Sequence, residues 1–374
     1  MNTLFGLPVA LDALIRVLII VSVMTVVVMG LIYVERKVLA RFQQRLGPTR
    51  TGPMGLLQSV ADALKLVAKE DVRPTNADPW VFELAPFLVF VPTFLGFVVV
   101  PFALAWSVRD LDLGLFYILA VSSVNIVGWV MAGWASDNRY AMLGALRAVA
   151  QSISYELPLV MAMIAVAMVA DSLNISEIVR GQAMVPNIVW QPLPFLMFFI
   201  CMLAEMNRPP FDIPVGESEV VGGPYVEYSG IRWSMFFLAE YASMFIMALL
   251  GAAVFLGGSA WPFGEQLGLP WQILLTVAKA GLIIFVVIWT RASFPRLRID
   301  QLMSFSWKLL LPVSFAQIMV NGLILVYDLP YGMSHTLLAV CSAAGVLFVA
   351  SAINRSVTSP RPRPLLIPRS EAAR

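Results

Sequence analysis

Nine stretches of roughly 20 predominantly apolar residues follow one another along this chain, and they leave it few ways to fold. They run approximately over 10–34, 81–106, 115–134, 153–171, 191–206, 235–258, 271–290, 309–327 and 335–353. Lipid offers no hydrogen bonds to the backbone, so segments of this length and composition are read as membrane-crossing helices. A soluble core could not absorb them. Fifty-nine per cent of residues are hydrophobic and 13% are charged, where a water-soluble domain carries about a quarter charged. The first stretch reads as a span and not as a cleavable leader, because it is long, holds Asp12 and Arg16, and precedes no small-residue cleavage site.

The basic residues give an orientation. With the N-terminus outside, the inside loops and the tail hold 21 of the 25 Lys and Arg. That asymmetry predicts N-terminus out, C-terminus in, and an odd number of spans. An eight-span alternative, with the last stretch re-entrant, puts the Arg- and Pro-rich tail on the wrong side. Residues 1–355 read as one polytopic membrane domain without internal repeats, and 356–374 as an extended cytoplasmic tail.

The first inside loop is patterned. Over 54–69, Leu56, Val60, Ala63, Leu64 and Val67 share one helical face, while Asp62, Lys65 and Lys69 lie elsewhere around the helix. This predicts an amphipathic helix at the membrane surface or roofing a cavity, bracketed by turns at Gly47-Pro48, Gly52-Pro53 and Asp78-Pro79.

Two cysteines in apolar stretches, Cys201 and Cys341, form no C-x-x-C pair, and His335 is the single histidine. No glycine-rich nucleotide fingerprint is present. The expectation is that this chain holds no metal, haem, cluster or nucleotide by itself.

Its chemistry concentrates in carboxylates. Segment 204–228 carries Glu205, Asp212, Glu217, Glu219 and Glu227 around a single arginine, Arg208. Glu156 stands near the start of the fourth span and Glu240 near the start of the sixth. Acids within or beside spans are costly and are tolerated where they face a polar cavity or an ion path. Crowded carboxylates cannot all ionise together, and such coupled groups suit a proton relay. A solvated acidic loop that caps helices is the plainer account of Glu217 and Glu219, and it fits Glu156, Glu205 and Glu240 less well. Lys279, midway along an apolar span, calls for a partner carboxylate or a water-filled cavity, as a structural ion pair or a relay group. Arg16 pairs with Asp12 or snorkels. Lys37 serves as a positive-inside anchor, while Glu35 and Arg36 line a cavity mouth.

These residues sit in recognisable motifs. Tyr33-Val-Glu-Arg-Lys37, Arg45-Leu-Gly-Pro48, Gly55-Leu-Leu-Gln58, Ala61-Asp-Ala-Leu-Lys65 and Lys69-Glu-Asp71 resemble the first loop of one family. Further on, Gly144-Ala-Leu-Arg-Ala-Val-Ala-Gln-Ser-Ile-Ser-Tyr-Glu156, Ala204-Glu-Met-Asn-Arg208 and Pro210-Phe-Asp212 fit it as well. So do Gly216-Glu-Ser-Glu219, Glu227-Tyr-Ser-Gly230 and Pro295-Arg-Leu-Arg-Ile-Asp-Gln-Leu302. From about residue 10 to 330 the chain is similar to the H subunit of proton-pumping NADH–quinone oxidoreductase, respiratory complex I.

The resemblance implies an all-α integral membrane protein of about nine transmembrane helices: eight family-core spans and a C-terminal extra, with an amphipathic surface helix in the first cytoplasmic loop. It implies a bacterial plasma membrane location and a place at the junction of the membrane and peripheral arms. Its partners would be other membrane-arm subunits, the quinone-site subunits of the peripheral arm, quinone and the lipid bilayer, with no nucleic acid. Quinone, ubiquinone or menaquinone, would be substrate. Carried onto this chain, Glu156, Glu205, Glu217, Glu219, Glu227 and Glu240 would begin the proton path, with Asp212, Arg208 and Lys279 grouped beside them. Glu35, Arg36, Asp62, Arg291 and Arg296 would belong to the quinone chamber or its entrance. The family's quinone-reducing Tyr and His lie in a neighbouring subunit. The family pattern often has another acid where this chain has Val215, which leaves the acidic loop one carboxylate poorer.

Two other readings compete. A membrane anchor of a ferredoxin-dependent or hydrogenase-type energy-converting complex shares the ancestry and would be revealed by its neighbouring genes. A stand-alone transporter would show paired polar breaks in two halves, which the sequence lacks.

Overall fold

The computed structural model describes residues 9–104, 106–214, 216, 221–327 and 330–358. Their regular structure is helical. In chain order the helices are α1 (Val9–Phe42), α2 (Gln58–Ala68), α3 (Pro79–Gly96), α4 (Gly114–Ala135), α5 (Arg139–Ala170), α6 (Ile175–Gly181), α7 (Asn187–Trp190) and α8 (Pro192–Glu205). Then come α9 (Gly230–Phe255), α10 (Leu269–Ser293), α11 (Ile299–Phe305), a π-helical turn over Ser306–Leu310, α12 (Leu311–Val326) and α13 (Tyr331–Thr358). Among the described residues, eight helices are long and apolar enough to cross a bilayer, and Pro192–Glu205 is a shorter apolar one. Each of the nine apolar stretches therefore holds a helix, as expected for an all-α membrane protein, though the second, read as 81–106, is helical only to Gly96.

Several boundaries differ from the sequence reading. Helix α1 runs to Phe42, which places Glu35 and Arg36 inside a helix and not at the start of a loop. Helix α5 begins at Arg139, capped by the Asn138 side chain, which accepts from Tyr140 N at 2.9 Å. Much of the loop expected between the apolar stretches ending at 134 and starting at 153 is thus the first part of this helix. Asp78-Pro79 is a helix start: Asp78 accepts from Trp80 N at 3.2 Å and Pro79 takes the first helical position, where its missing N–H costs nothing. The short fifth span, 14 residues, rises only about 21 Å at 1.5 Å per residue. It is preceded by α7 and a break at Gln191. The last stretch is one continuous 28-residue helix, whose apolar part is long enough to cross a bilayer. The tail beyond 358, Val215, Glu217, Glu219 and the side chain of Asp12 lie outside the described residues.

Helix α9 is the hub. It packs against α1, α2, α3, α6, α7, α8 and α10, and 78% of its apolar window is buried, against 17% for α1 and for α13. Its sequence explains this. Ala248, Gly251, Ala252 and Ala253 keep its surface low, so neighbouring backbones approach closely. A Cβ on Gly251 would meet Phe198 at 2.7 Å and Ile283 at 3.2 Å. A second close approach pins the acidic loop: a Cβ on Gly144 of α5 would lie 2.6 Å from Gly223 Cα.

Helix α2 is amphipathic, and its orientation is informative. Ser59 is buried and donates to Met29 O at 3.0 Å. Val60, Leu64 and Val67 point away from the chain. The polar edge roofs the protein and the apolar edge is offered to lipid or to another chain.

Candidate functional site

Along α1, Met24, Val28, Ile32 and Glu35 are all buried and recur at intervals of three or four residues. Glu35 thus occupies the next place in an apolar stripe, where a leucine would be ordinary. It is 2% exposed, and a carboxylate so placed needs a counter-ion. Arg208, 3% exposed, supplies it: Nη1 donates to Glu35 Oε1 at 2.8 Å. The same guanidinium forms an ion pair with Glu240 of α9 through Nη2 at 3.2 Å. Its carbon lies 4.5 Å from the Tyr241 ring centroid. Arg291, in the last turn of α10, also bonds Glu35 Oε1. Burial works against the Arg208 charge, but Glu240 and Glu35 outweigh it, so its proton is held more firmly than usual.

The turn that carries Arg208 is held by a residue of α5. Gln151 Nε2 donates to Ala204 O at 2.7 Å and Phe211 O at 2.8 Å, on either side of Arg208, and lies 3.1 Å from Asn207 Oδ1. Asn207 is left-handed, φ 50°, which Asn tolerates better than most residues. Leu297 N–H donates to Pro210 O at 3.0 Å, tying the turn to the segment after α10.

Two cavities flank Arg208. One, of about 60 Å³, is lined by Glu156, Glu205 and Glu240, with Thr93, Ser122, Asn125, Ser152, Asn207 and Ser243 among its polar walls. That is room for a few waters. Glu205 Oε2 and Asn125 Oδ1 are buried without a hydrogen-bond partner. The other is an open depression of about 430 Å³ lined by Glu35, Arg36, Tyr241 and Arg291, together with the 45–48 turn. Glu35 lines the depression, Glu240 lines the acid cavity, and Arg208 joins them.

The sequence-predicted residues therefore separate into groups. Glu156, Glu205 and Glu240 share one cavity. Glu35, Arg36 and Arg291 share the other. Asp62 accepts from Arg36 Nη1 at 2.5 Å and from Gln58 Nε2 at 3.3 Å, holding α2 over the depression's edge. Asp212 pairs with Arg296 at 2.8 Å, and Glu227 accepts from Asn138 Nδ2 at 2.6 Å; neither lines the acid cavity. Burial, reinforced by Glu240 and Asp212, raises the Tyr225 phenol well above its ordinary range, so it stays a neutral wall of this loop.

Lys279 departs from expectation. No carboxylate among the described residues pairs with it. Its ammonium donates to the carbonyls of Leu256, Gly258 and Trp261 at the far end of α9. Helix-end carbonyls are ample compensation for a cation, and sequence spacing alone does not reveal them. Gln151 and the hydroxyl and amide walls of the acid cavity are functional candidates that the sequence alone does not single out. The run Ser122-Ser123-x-Asn125 inside an apolar span is the available signal. Among the described residues, no three His, Cys, Asp or Glu side chains are grouped to hold a metal.

The comparisons with known proteins agree on one assignment. The NADH dehydrogenase family model matches residues 15–322. A protein of Brevibacillus brevis, named as the H subunit of NADH-quinone oxidoreductase, is 47% identical over 79% of this chain and 88% of its own length. A second of that name, from Geobacillus kaustophilus, is 49% identical over 78% of this chain and 88% of its own. A third, from Dehalococcoides mccartyi, is 45% identical over 83% and 86%. With its motifs in order, its helices in place and this similarity along most of its length, the chain belongs to the NADH–quinone oxidoreductase H-subunit family.

Proposed function

We propose that this chain is the membrane-arm junction subunit of a NADH–quinone oxidoreductase, where quinone reduction is coupled to proton movement. Quinone enters from lipid beneath α2, and its head group rests in the depression lined by Glu35, Arg36 and Arg291. Electrons reach it from a neighbouring peripheral-arm subunit. Glu156, Glu205 and Glu240 begin the proton path toward the other membrane-arm subunits. The N-terminus is outside and the C-terminus cytoplasmic, in a bacterial plasma membrane.

The observation that carries this reading is the shared guanidinium: Arg208 bridges Glu35 of one cavity and Glu240 of the other. Negative charge developing on quinone during reduction draws Arg291 and Arg208 toward the depression. Glu240 then loses part of its counter-ion and takes up a proton from the cavity. At an effective dielectric of about 20, two unit charges 4 Å apart interact by about 4 kcal/mol. A shift of an ångström or two in a shared guanidinium changes this by about 1 kcal/mol, close to one pKa unit, which biases the carboxylate toward taking up a proton.

The relatives' printed names support the quinone-linked reading over a hydrogenase-type anchor. The test is the pair Glu205→Gln and Glu156→Gln in the assembled complex. Pumping per electron should fall by more than half in each, with quinone still bound. Wild-type pumping and reductase rates in both variants would remove the relay role.

A further inference from the structure

At the end of α9 remote from Glu240, the last carbonyls are capped by side chains from three other parts of the chain. Gln182 donates to Ala253 O at 3.0 Å, and Asn187 to Val254 O at 2.9 Å. From α10, Lys279 donates to Leu256 O at 2.6 Å, to Gly258 O at 2.7 Å, and to Trp261 O. Its nitrogen also lies 5.4 Å from the Trp261 ring centroid.

A helix C-terminus leaves carbonyls unpaired and carries roughly half a negative charge. Gly257 and Gly258, at φ +70° and +44°, turn the chain so that further carbonyls converge on the same point. The result is a cradle of neutral oxygens beside an aromatic face, the donor set of a monovalent-cation site. An ammonium has three N–H donors and here meets three acceptors. Carbonyl oxygens accept hydrogen bonds but do not take up protons at neutral pH, so none of these three partners exchanges a proton with the lysine.

We propose that Lys279 is a tethered monovalent cation, not a proton-transfer group. It seats itself in the carbonyl cradle and ties residues 256–261 to α10. It thereby positions α9, whose other half carries Glu240. Fifteen residues separate Glu240 from Phe255, about 22 Å along the helix, so the lysine acts on the acid cavity only through the placement of that helix.

The test is Lys279→Ala in the assembled complex, reconstituted into vesicles in potassium, rubidium, methylammonium or N-methylglucamine salts. In N-methylglucamine, which is too large for the cradle, the unfolding temperature should fall below wild type and quinone reduction should drop at least threefold. Potassium or rubidium should raise the unfolding temperature again and restore quinone reduction to within twofold of wild type, with pumping per electron restored alongside. Lys279→Met, which fills the space with an apolar chain, should show no such rescue. Rescue by methylammonium with none by potassium would make the group a proton carrier and overturn the proposal, as would no rescue by any cation. Should the alanine variant fail to assemble, the wild-type complex decides. A membrane-permeant amine acylating reagent should label Lys279 at least tenfold more slowly than exposed Lys308. Equal labelling would overturn the proposal.

Discussion

Arg208 and Glu35 form a buried ion pair, 2.8 Å from Nη1 to Oε1, although 173 residues separate them in the chain. The pair joins the stripe of α1 to the turn that follows α8. Two glutamates, Glu35 and Glu240, and two arginines, Arg208 and Arg291, meet there, so the cluster is neutral as a whole while every member depends on another. Removing one partner of such a pair typically costs about 3–5 kcal/mol, because a charge is left buried without compensation.

Arg208→Met should therefore weaken assembly as well as activity. Arg208→Lys isolates the functional part. A lysine keeps the positive charge but is a point donor, not a planar fork, and it cannot span Glu35 and Glu240 together. The expected outcome is a complex that assembles at more than half the wild-type level on native gels and reduces quinone at least tenfold more slowly. A Lys variant with wild-type turnover would show that bridging the two carboxylates is not needed.

The Arg36–Asp62 pair, at 2.5 Å, is partly exposed on both sides, and exposed pairs contribute only about 0.2–1 kcal/mol. Asp62→Asn should leave the melting temperature of the complex nearly unchanged. It should instead loosen α2 over the depression. Hydrogen exchange across 58–68 should speed up, and the KM for a hydrophobic quinone should rise severalfold more than kcat falls. A fall in kcat with unchanged KM would detach α2 from quinone entry.

Much of the fold is legible in the sequence, because lipid enforces a simple rule on apolar length, and each of the nine apolar stretches holds a helix. The boundaries are less legible. Position 35 reads as a cavity mouth beyond the end of the first apolar stretch, whereas its spacing from Ile32 and Val28 continues the buried face of α1. At the site, Glu156, Glu205 and Glu240 are set apart in the sequence by their apolar surroundings, and they line one cavity. Glu227 and Asp212 carry no such mark, and Asn138 and Arg296 engage them in the loops. Lys279 is legible as an anomaly only. Its partners are backbone carbonyls of a different helix end, which carry no side-chain signature.

Gln151 shows what a motif residue does when it bears no charge. It is 1% exposed, and its amide pins the two ends of the Arg208 turn. Truncation to alanine removes two buried hydrogen bonds, each worth about 0.5–1.5 kcal/mol, while Ala204 O and Phe211 O keep only backbone donors, among them Asn207 N–H and Ile213 N–H. Gln151→Ala should lower the unfolding temperature of the protein and cut quinone reduction. Gln151→Glu discriminates further, because it keeps the size but replaces the donor with a carboxylate beside three acceptors. It should be at least as damaging as alanine in turnover. A Glu variant more active than Ala would mean that side-chain volume, not donation, holds the turn.

Ser122 and Asn125 face the acid cavity from α4, and Asn125 Nδ2 donates to Thr93 Oγ1 at 3.4 Å while its Oδ1 has no partner. A cavity of about 60 Å³ holds water only while its walls offer hydrogen bonds. Ser122→Val together with Asn125→Leu fills the space with methyl groups and removes those bonds, leaving Glu156, Glu205 and Glu240 chemically intact. Quinone binding, proposed for the other depression, should keep its KM within twofold. Pumping per electron should fall at least threefold. Ser122→Thr, which retains the hydroxyl in a similar volume, should pump nearly as wild type. Normal pumping by the doubly filled variant would mean that protons reach the membrane arm by a route that avoids this cavity.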